Sequence, residues 1–158
     1  MITIRHATVF DLEILTDLQI QFEEFFQKLE GHHYEIPRDA RRDEIRQNNF
    51  GRVKFMRTLV AEHNGTVIGA ISFYPGFLNE NPPERTFHFP YIFVIEKYRG
   101  PATMMLLNAA RKVAKSENIR RLVFSVYGRN TPAKKLYEHI GAKYWAGDED
   151  EHFMYFDA

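Results

Sequence analysis

Two β-rich runs, Thr86 to Ile95 and Ile119 to Tyr127, are joined by one helical segment that opens at Gly100-Pro101. A strand, a crossover helix and a second strand in that order make the two strands parallel neighbours in a right-handed connection. Proline suits the first position of the helix, where its missing N–H has no intrahelical partner to lose. Met104, Met105, Leu106, Ala109, Val113 and Ala114 are expected on its apolar side. A chain built around such a unit is α/β, with helices layered on a mixed sheet.

The flanking sequence supplies the remaining elements. Ile2 to His6 alternates as a half-buried strand. Thr8 with Asp11 forms an acidic variant of the capping box. Behind it Leu12, Leu15, Leu18 and Phe22, with Ile14, Phe25 and Phe26, recur at helical spacing to about Lys28, and Gly31 ends the helix. His32 to Asp39 is turn-like, and a charged helix follows from Ala40 to Asn49, stopped by Gly51. Arg57 to Glu62 and Val67 to Tyr74 form a hairpin around Asn64-Gly65, a type I′ signal. Pro75 to Glu84 is expected as a long loop, Thr131 to Ile140 as a short helix and Gly141 as its left-handed cap. Two strands close the chain, Lys143 to Ala146 and Glu151 to Phe156, around the acidic Asp148-Glu149-Asp150. The expected order is β, α, α, β, β, β, α, β, α, β, β, a three-layer α/β/α arrangement.

Composition narrows the function. A length of 158 residues fits a single domain, 1–158. With no cysteine, disulfides, thiolate nucleophiles and cysteine-ligated zinc are excluded. Lysine plus arginine, 21, equals aspartate plus glutamate, 21, which argues against a nucleic-acid partner. No apolar run reaches the roughly 18–20 residues of a membrane helix. The amino terminus, Met-Ile-Thr-Ile-Arg-His, lacks a basic segment followed by an apolar one, so a soluble, cytoplasmic protein is expected. His32 and His33 would point to opposite sides of a strand, and no metal site is expected from them.

Chemistry concentrates in two turns. Tyr98-Arg99-Gly100-Pro101-Ala102-Thr103-Met104 opens the crossover helix, whose N-terminus offers amides and partial positive charge to a phosphate. Taken alone, this is an ordinary helix start. The second turn runs from Tyr127-Gly128-Arg129-Asn130 through Ala133 and Leu136-Tyr137 to Gly141-Ala142. Tyr-Arg-Gly at a helix start, followed by Asn-x-x-Ala-x-x-Leu-Tyr-x-x-x-Gly-Ala, resembles the GNAT superfamily of acyl-CoA-dependent N-acetyltransferases. The likeness covers nearly the whole chain. Its C-terminal half is most similar to the polyamine (diamine) branch.

The resemblance implies a set of roles. Backbone groups of Ile92, Phe93 and Val94 would pair with the pantetheine arm of acetyl-CoA, the co-substrate. Arg99, Gly100, Pro101, Ala102, Thr103 and Met104 would cradle the pyrophosphate, and Asn130 with Ala133 would meet the cofactor from the neighbouring strand. Tyr137 would protonate the departing thiolate, as a positioned hydroxyl can. A core aromatic is the plainer alternative for Tyr137, and a helix N-cap for Asn130. The acceptor would be a small-molecule or peptide amine, and the assembly a homodimer.

Several positions depart from the family pattern. Ala102 and Met104 stand where glycine or alanine is usual, and Pro101 removes an amide donor, so weaker or differently posed CoA is expected. Pro90 and Tyr91 occupy the positions of the polyamine branch's acidic pair. His88 shares strand parity with Pro90 if no bulge intervenes, which makes it a candidate base beside its plainer reading as a solvated or core residue. Glu96 reads as surface. Phe22, Phe25, Phe26 and Tyr34 read as core, or as lining of the acceptor cleft the family places beside its first two helices. Arg41, Arg42 and Arg46 read as a solvated basic face. Arg111, Lys112, Lys115, Arg120 and Arg121 could meet the CoA 3′-phosphate. The rival functions are a non-catalytic CoA-binding or ligand-sensing protein on the same fold, and an interaction module using the aromatic first helix.

Overall fold

A computed structural model describes residues 1–158. In chain order the elements are β1 (Ile2–His6), α1 (Leu12–Glu30), α2 (Arg38–Phe50), β2 (Arg57–His63), β3 (Thr66–Leu78), β4 (Glu84–Val94), α3 (Pro101–Ser116), β5 (Arg121–Tyr127), α4 (Thr131–His139), β6 (Lys143–Gly147) and β7 (Glu151–Asp157). The strands form one seven-stranded sheet in the order β1-β2-β3-β4-β5-β7-β6. It is mostly antiparallel, and its parallel pair is β4 with β5, through Phe87↔Leu122 and His88↔Val123. The mixed α/β architecture with one crossover is therefore the one the sequence implies. The chain divides into two compact units, Met1–Phe73 with Tyr91–Ala110, and Tyr74–Pro90 with Arg111–Ala158.

In the first unit, Asn64 and Gly65 turn β2 into β3 with φ of 51° and 77°, the two positive values a type I′ turn demands. Asp11 is the hub of the β1–α1 junction. Its carboxylate accepts from Thr8 N at 2.8 Å and from both terminal nitrogens of Arg5 at 2.8 and 2.9 Å, while Arg5 Nε donates to Glu62 at 2.9 Å. The Arg5 guanidinium holds the Asp11 carboxyl below its ordinary range.

Helix α1 changes character along its length. Its first half buries Leu12, Leu15 and Leu18. In its second half Phe22 packs partly buried against the core of Leu15, Leu18 and Tyr91, and Phe25 and Phe26 are also partly buried. The same half buries Glu23 and Gln27 as well, which an apolar core face does not ask for. The reason lies in α2. Arg41 forks onto Glu23 at 2.6 and 3.1 Å, and Arg38 reaches Glu13 and Asp17 at 2.9 and 2.8 Å. Arg42 lies 3.6 Å from Glu13, and Arg46 lies 3.3 Å from Asp43. The basic face is thus ion-paired rather than simply solvated, and its Arg38, Arg41 and Arg42 form the seam between the two helices. Glu23→Gln should lower stability by about 1–2 kcal/mol, because it leaves the partly buried Arg41 with only the more exposed Glu44, at 2.9 Å, as counter-charge. An unchanged urea midpoint would show that the pair is dispensable.

In the second unit β3 continues to Leu78, which corrects the loop expected from Pro75. Alternation explains it: Pro75 and Phe77 face solvent, while Tyr74 and Gly76 are half-buried and Leu78 is buried. Proline is tolerated in a strand where its N–H position owes no ladder bond. The buried face of α3 also differs from expectation. Ala102, Leu106, Leu107, Ala110 and Ala114 are buried, whereas Met104, Met105, Ala109 and Val113 are half-exposed. Phe89, Phe124 and Phe156 stack in the core of this unit, with centroids 4.5 Å apart for the first pair and 5.3 Å for the second.

Candidate functional site

The turn into α3 is built entirely within the first unit. Tyr98 N donates to Ile95 O at 3.0 Å and Arg99 N to Glu96 O at 3.2 Å, winding the chain through a short 3-10 turn. Gly100 then adopts φ 86°, and Met104 N donates to its carbonyl at 3.0 Å. Gly100 is thereby the N-cap, and Ala102 and Thr103 carry the first-turn amides that have no intrahelical acceptor. Pro101 carries none. Ala102 is fully buried, so its methyl is spent in the core. That is why alanine is compatible with a position where glycine is usual. Two amides at the positive end of a 16-residue helix fit a pyrophosphate, with one donor fewer than an all-amide turn.

The end of β4 lies against this turn. Arg99 Nε donates to Val94 O at 3.1 Å, and its guanidinium sits 5.7 Å from the Phe93 ring. Ile92 and Phe93 are half-buried and Val94 is buried. A Cβ on Gly69 would come within 2.8 Å of both Phe93 O and Val94 Cγ2, so only glycine lets β3 approach here. An isolated glycine inside a β-rich run is the sequence sign of such an approach. Tyr98 Oη and His63 Nδ1, 3.3 Å apart, tie the turn to the end of β2. Glu96 is exposed, as expected.

The second unit supplies the other motif. Asn130 is the N-cap of α4, its Oδ1 accepting from Ala133 N at 3.3 Å. One turn on, the half-buried Tyr137 packs edge-on against Phe124 at 4.7 Å and Phe156 at 6.3 Å. These apolar surroundings push its phenol up to about 12, so the hydroxyl keeps its proton well past neutral pH. Gly141 closes the helix at φ 97°. Arg121, expected among free phosphate-binding cations, is committed instead to Glu80 at 3.2 Å and Glu84 at 3.6 Å, with Tyr155 beneath it at 4.9 Å.

His88 stacks on Tyr74 at 5.5 Å, and its ring lies where a Cβ on Gly76 would be, within 2.7 Å. Its Nε2 is buried without a hydrogen-bond partner. Burial lowers its pKa below the ordinary 6.5. The folded state then refuses a proton that the unfolded chain accepts, so stability falls as pH drops through about 6.5. His88→Phe should flatten the dependence of the urea midpoint between about pH 7 and pH 5, by up to ~1.4 kcal/mol per pH unit removed. Parallel slopes for both proteins would contradict this.

Pro90 is exposed, and Tyr91 is buried with its hydroxyl unpartnered. The sequence missed the tie between Arg99 and the Val94 carbonyl, and it missed the orphaned hydroxyl. Within the first unit the fold brings Ile92, Phe93 and Val94 together with Arg99. Within the second, one helix and its cap carry Asn130, Ala133 and Tyr137.

Comparison with known proteins follows the same outline. The acetyltransferase (GNAT) family model matches residues 16–142. The PaiA N-acetyltransferase from Thermoplasma acidophilum, solved in complex with coenzyme A, superposes with a TM-score of 0.72 at 19% identity, covering 100% of this chain and 99% of that one. A ribosomal-protein-alanine N-acetyltransferase from Brucella melitensis gives 0.70 at 20% identity, covering 99% of each chain. A probable acetyltransferase from Staphylococcus epidermidis gives 0.75 at 17% identity, covering 100% and 99%. No curated protein matches the sequence.

Proposed function

The chain belongs to the acetyltransferase (GNAT) family, and on that premise we propose that it moves an acetyl group from acetyl-CoA to a primary amine by direct attack. The observation that carries this reading is the start of α3, where Gly100 caps a helix that opens with the amides of Ala102 and Thr103. Backbone groups of Ile92, Phe93 and Val94 hold the pantetheine arm, Arg99 to Met104 hold the pyrophosphate, and Asn130 and Ala133 hold the cofactor from the other motif. Acetyl-CoA supplies the activated acetyl group as a thioester. Tyr137 holds the proton that the departing thiolate takes, and its apolar surroundings keep it protonated. Holding the amine against the thioester contributes much of the rate.

The acceptor is a small-molecule or peptide amine. Similarity of the C-terminal half to the polyamine branch supports a primary amine, while Pro90 and Tyr91 in place of an acidic pair support one of low charge. Calorimetric titration with CoA and thiol release from acetyl-CoA over an amine panel test the reading together. Micromolar CoA binding with acetylation of at least one amine is expected. CoA binding with no amine acetylated would make the protein a sensor, and nanomolar binding would refute the cost assigned to Pro101 and Met104.

A further inference from the structure

We infer that Tyr98 and His63 are positioning residues for the cofactor, which together hold the turn into α3 in the shape that exposes its amides. The inference rests on the acetyl-CoA reading above for the ligand, but not for the tie between the two side chains. Tyr98 Oη and His63 Nδ1 lie 3.3 Å apart, and their ring centroids lie 5.0 Å apart at a tilt of 43°. Lys97 Nζ lies 5.4 Å from the centroid of the same Tyr98 ring. Either partner of the hydrogen bond can donate, so the tie does not depend on one histidine tautomer.

The backbone alone fixes the shape of this turn poorly. Glu96 to Tyr98 winds a single 3-10 turn through bonds of 3.0 and 3.2 Å, and such turns have poorer hydrogen-bond geometry than an α-helix. Its start is anchored, since Ile95 N donates to Ile68 O of β3 at 3.0 Å. Its far end is Gly100 at φ 86°, the residue type with the widest choice of backbone conformations and the most to lose on ordering. Two side-chain ties act just before that glycine. Arg99 Nε donates back to Val94 O of β4 at 3.1 Å, and Tyr98 reaches across to His63 at the end of β2. His63 is a firm anchor, because it pairs with Ile2 of β1 on one side and Thr66 of β3 on the other.

Neither the sheet nor α3 needs this tie to form. Asn64 and Gly65 close the β2–β3 hairpin, and α3 is held by its buried Ala102, Leu106, Leu107 and Ala110. What the tie adds is local. The first helical bond, Met104 N to Gly100 O at 3.0 Å, and the free amides of Ala102 and Thr103 follow from the conformation of Gly100. A site that is competent in only a fraction of its conformers binds more weakly by that fraction. Removing the tie therefore weakens the cofactor, while the bound turn, once formed, is the same turn.

The probe is CoA, titrated calorimetrically into the full chain, with amide hydrogen exchange at Met104 followed in the ligand-free protein. Tyr98→Phe and His63→Phe each keep a ring and remove one partner of the tie. Each should weaken CoA about three- to tenfold and speed exchange at Met104 by a similar factor. The double variant should bind no more weakly than either alone, because both changes delete the same contact. His63→Asn puts a polar atom in place of Nδ1 and should restore CoA affinity to within about twofold of wild type. Tyr98→Phe carries the test if His63→Phe does not fold. Losses that add in the double variant, or exchange at Met104 unchanged in both single variants, would overturn the inference, and CoA bound by wild type would then leave the cofactor reading standing. Faster exchange at Met104 with no CoA bound by wild type would support the hold on the turn and overturn the cofactor reading.

Discussion

Tyr137→Phe should lower turnover about a hundredfold while acetyl-CoA affinity stays within about twofold, the loss expected when a general acid is removed and nothing else changes. The substitution isolates the hydroxyl. Phenylalanine keeps the ring that packs edge-on against Phe124 at 4.7 Å and Phe156 at 6.3 Å, so α4 and its capped start are retained. The pH profile separates the acid role from a packing role. With the phenol pushed up to about 12, the proton is present throughout the neutral and moderately alkaline range, and the wild-type rate should not fall for want of it below about pH 10. In the variant, the remaining route takes its proton from solvent, so its rate should decline as pH rises. Turnover equal to wild type, or a parallel loss of CoA affinity, would remove Tyr137 from the acid role and return it to the core.

What the sequence disclosed and what it concealed divide along physical lines. Asn64-Gly65 and Gly141 were legible because positive φ falls on few residue types. Asn130 was legible as a cap because its side chain competes for the amide three residues on. The crossover was legible because strand, helix and strand follow one another in the chain. Concealment begins where the deciding partner is remote. Nothing within α1 says that Glu23 will be buried, since the Arg41 that neutralises it lies eighteen positions away on another helix. The same distance hides the pairing of the α2 arginines with α1. Arg99 looks in sequence like a phosphate ligand, yet its Nε is held by a carbonyl five residues back. The roles proposed around the two turns rest on the family pattern, whereas Tyr91 stood out only as a gap in that pattern. Its unpartnered hydroxyl is a fact of packing that no periodicity carries.

Gly128→Ala should cost about 3 kcal/mol and lower the melting temperature by about 6–12 °C for a chain of this size. The residue sits between β5 and the cap of α4, and its N–H donates to Asp150 O at 2.6 Å. A Cβ there would overlap the Glu149 carbonyl oxygen, with Glu149 C at 2.8 Å and Asp150 C at 3.2 Å. All three are backbone atoms, so no change of rotamer relieves the overlap. Nor is the facing loop free to withdraw. The Asp148 carboxylate accepts from Asp150 N at 2.9 Å and Glu151 N at 3.1 Å, and Asp148 N donates to Glu151 O at 3.0 Å. These amides hold the Asp148 carboxyl below its ordinary range. The strain must therefore be met by β5 and α4, and Asn130, two residues on, moves with it. CoA affinity should fall alongside stability, unlike the outcome for Tyr137→Phe. The loop's part can be isolated with Asp148→Ala, which unties the turn. In the Gly128→Ala background it should recover part of the lost stability, although alone it destabilises, and such non-additivity is what a shared contact produces. A thermal scan of Gly128→Ala within about 2 °C of wild type would mean that the loop yields at no cost.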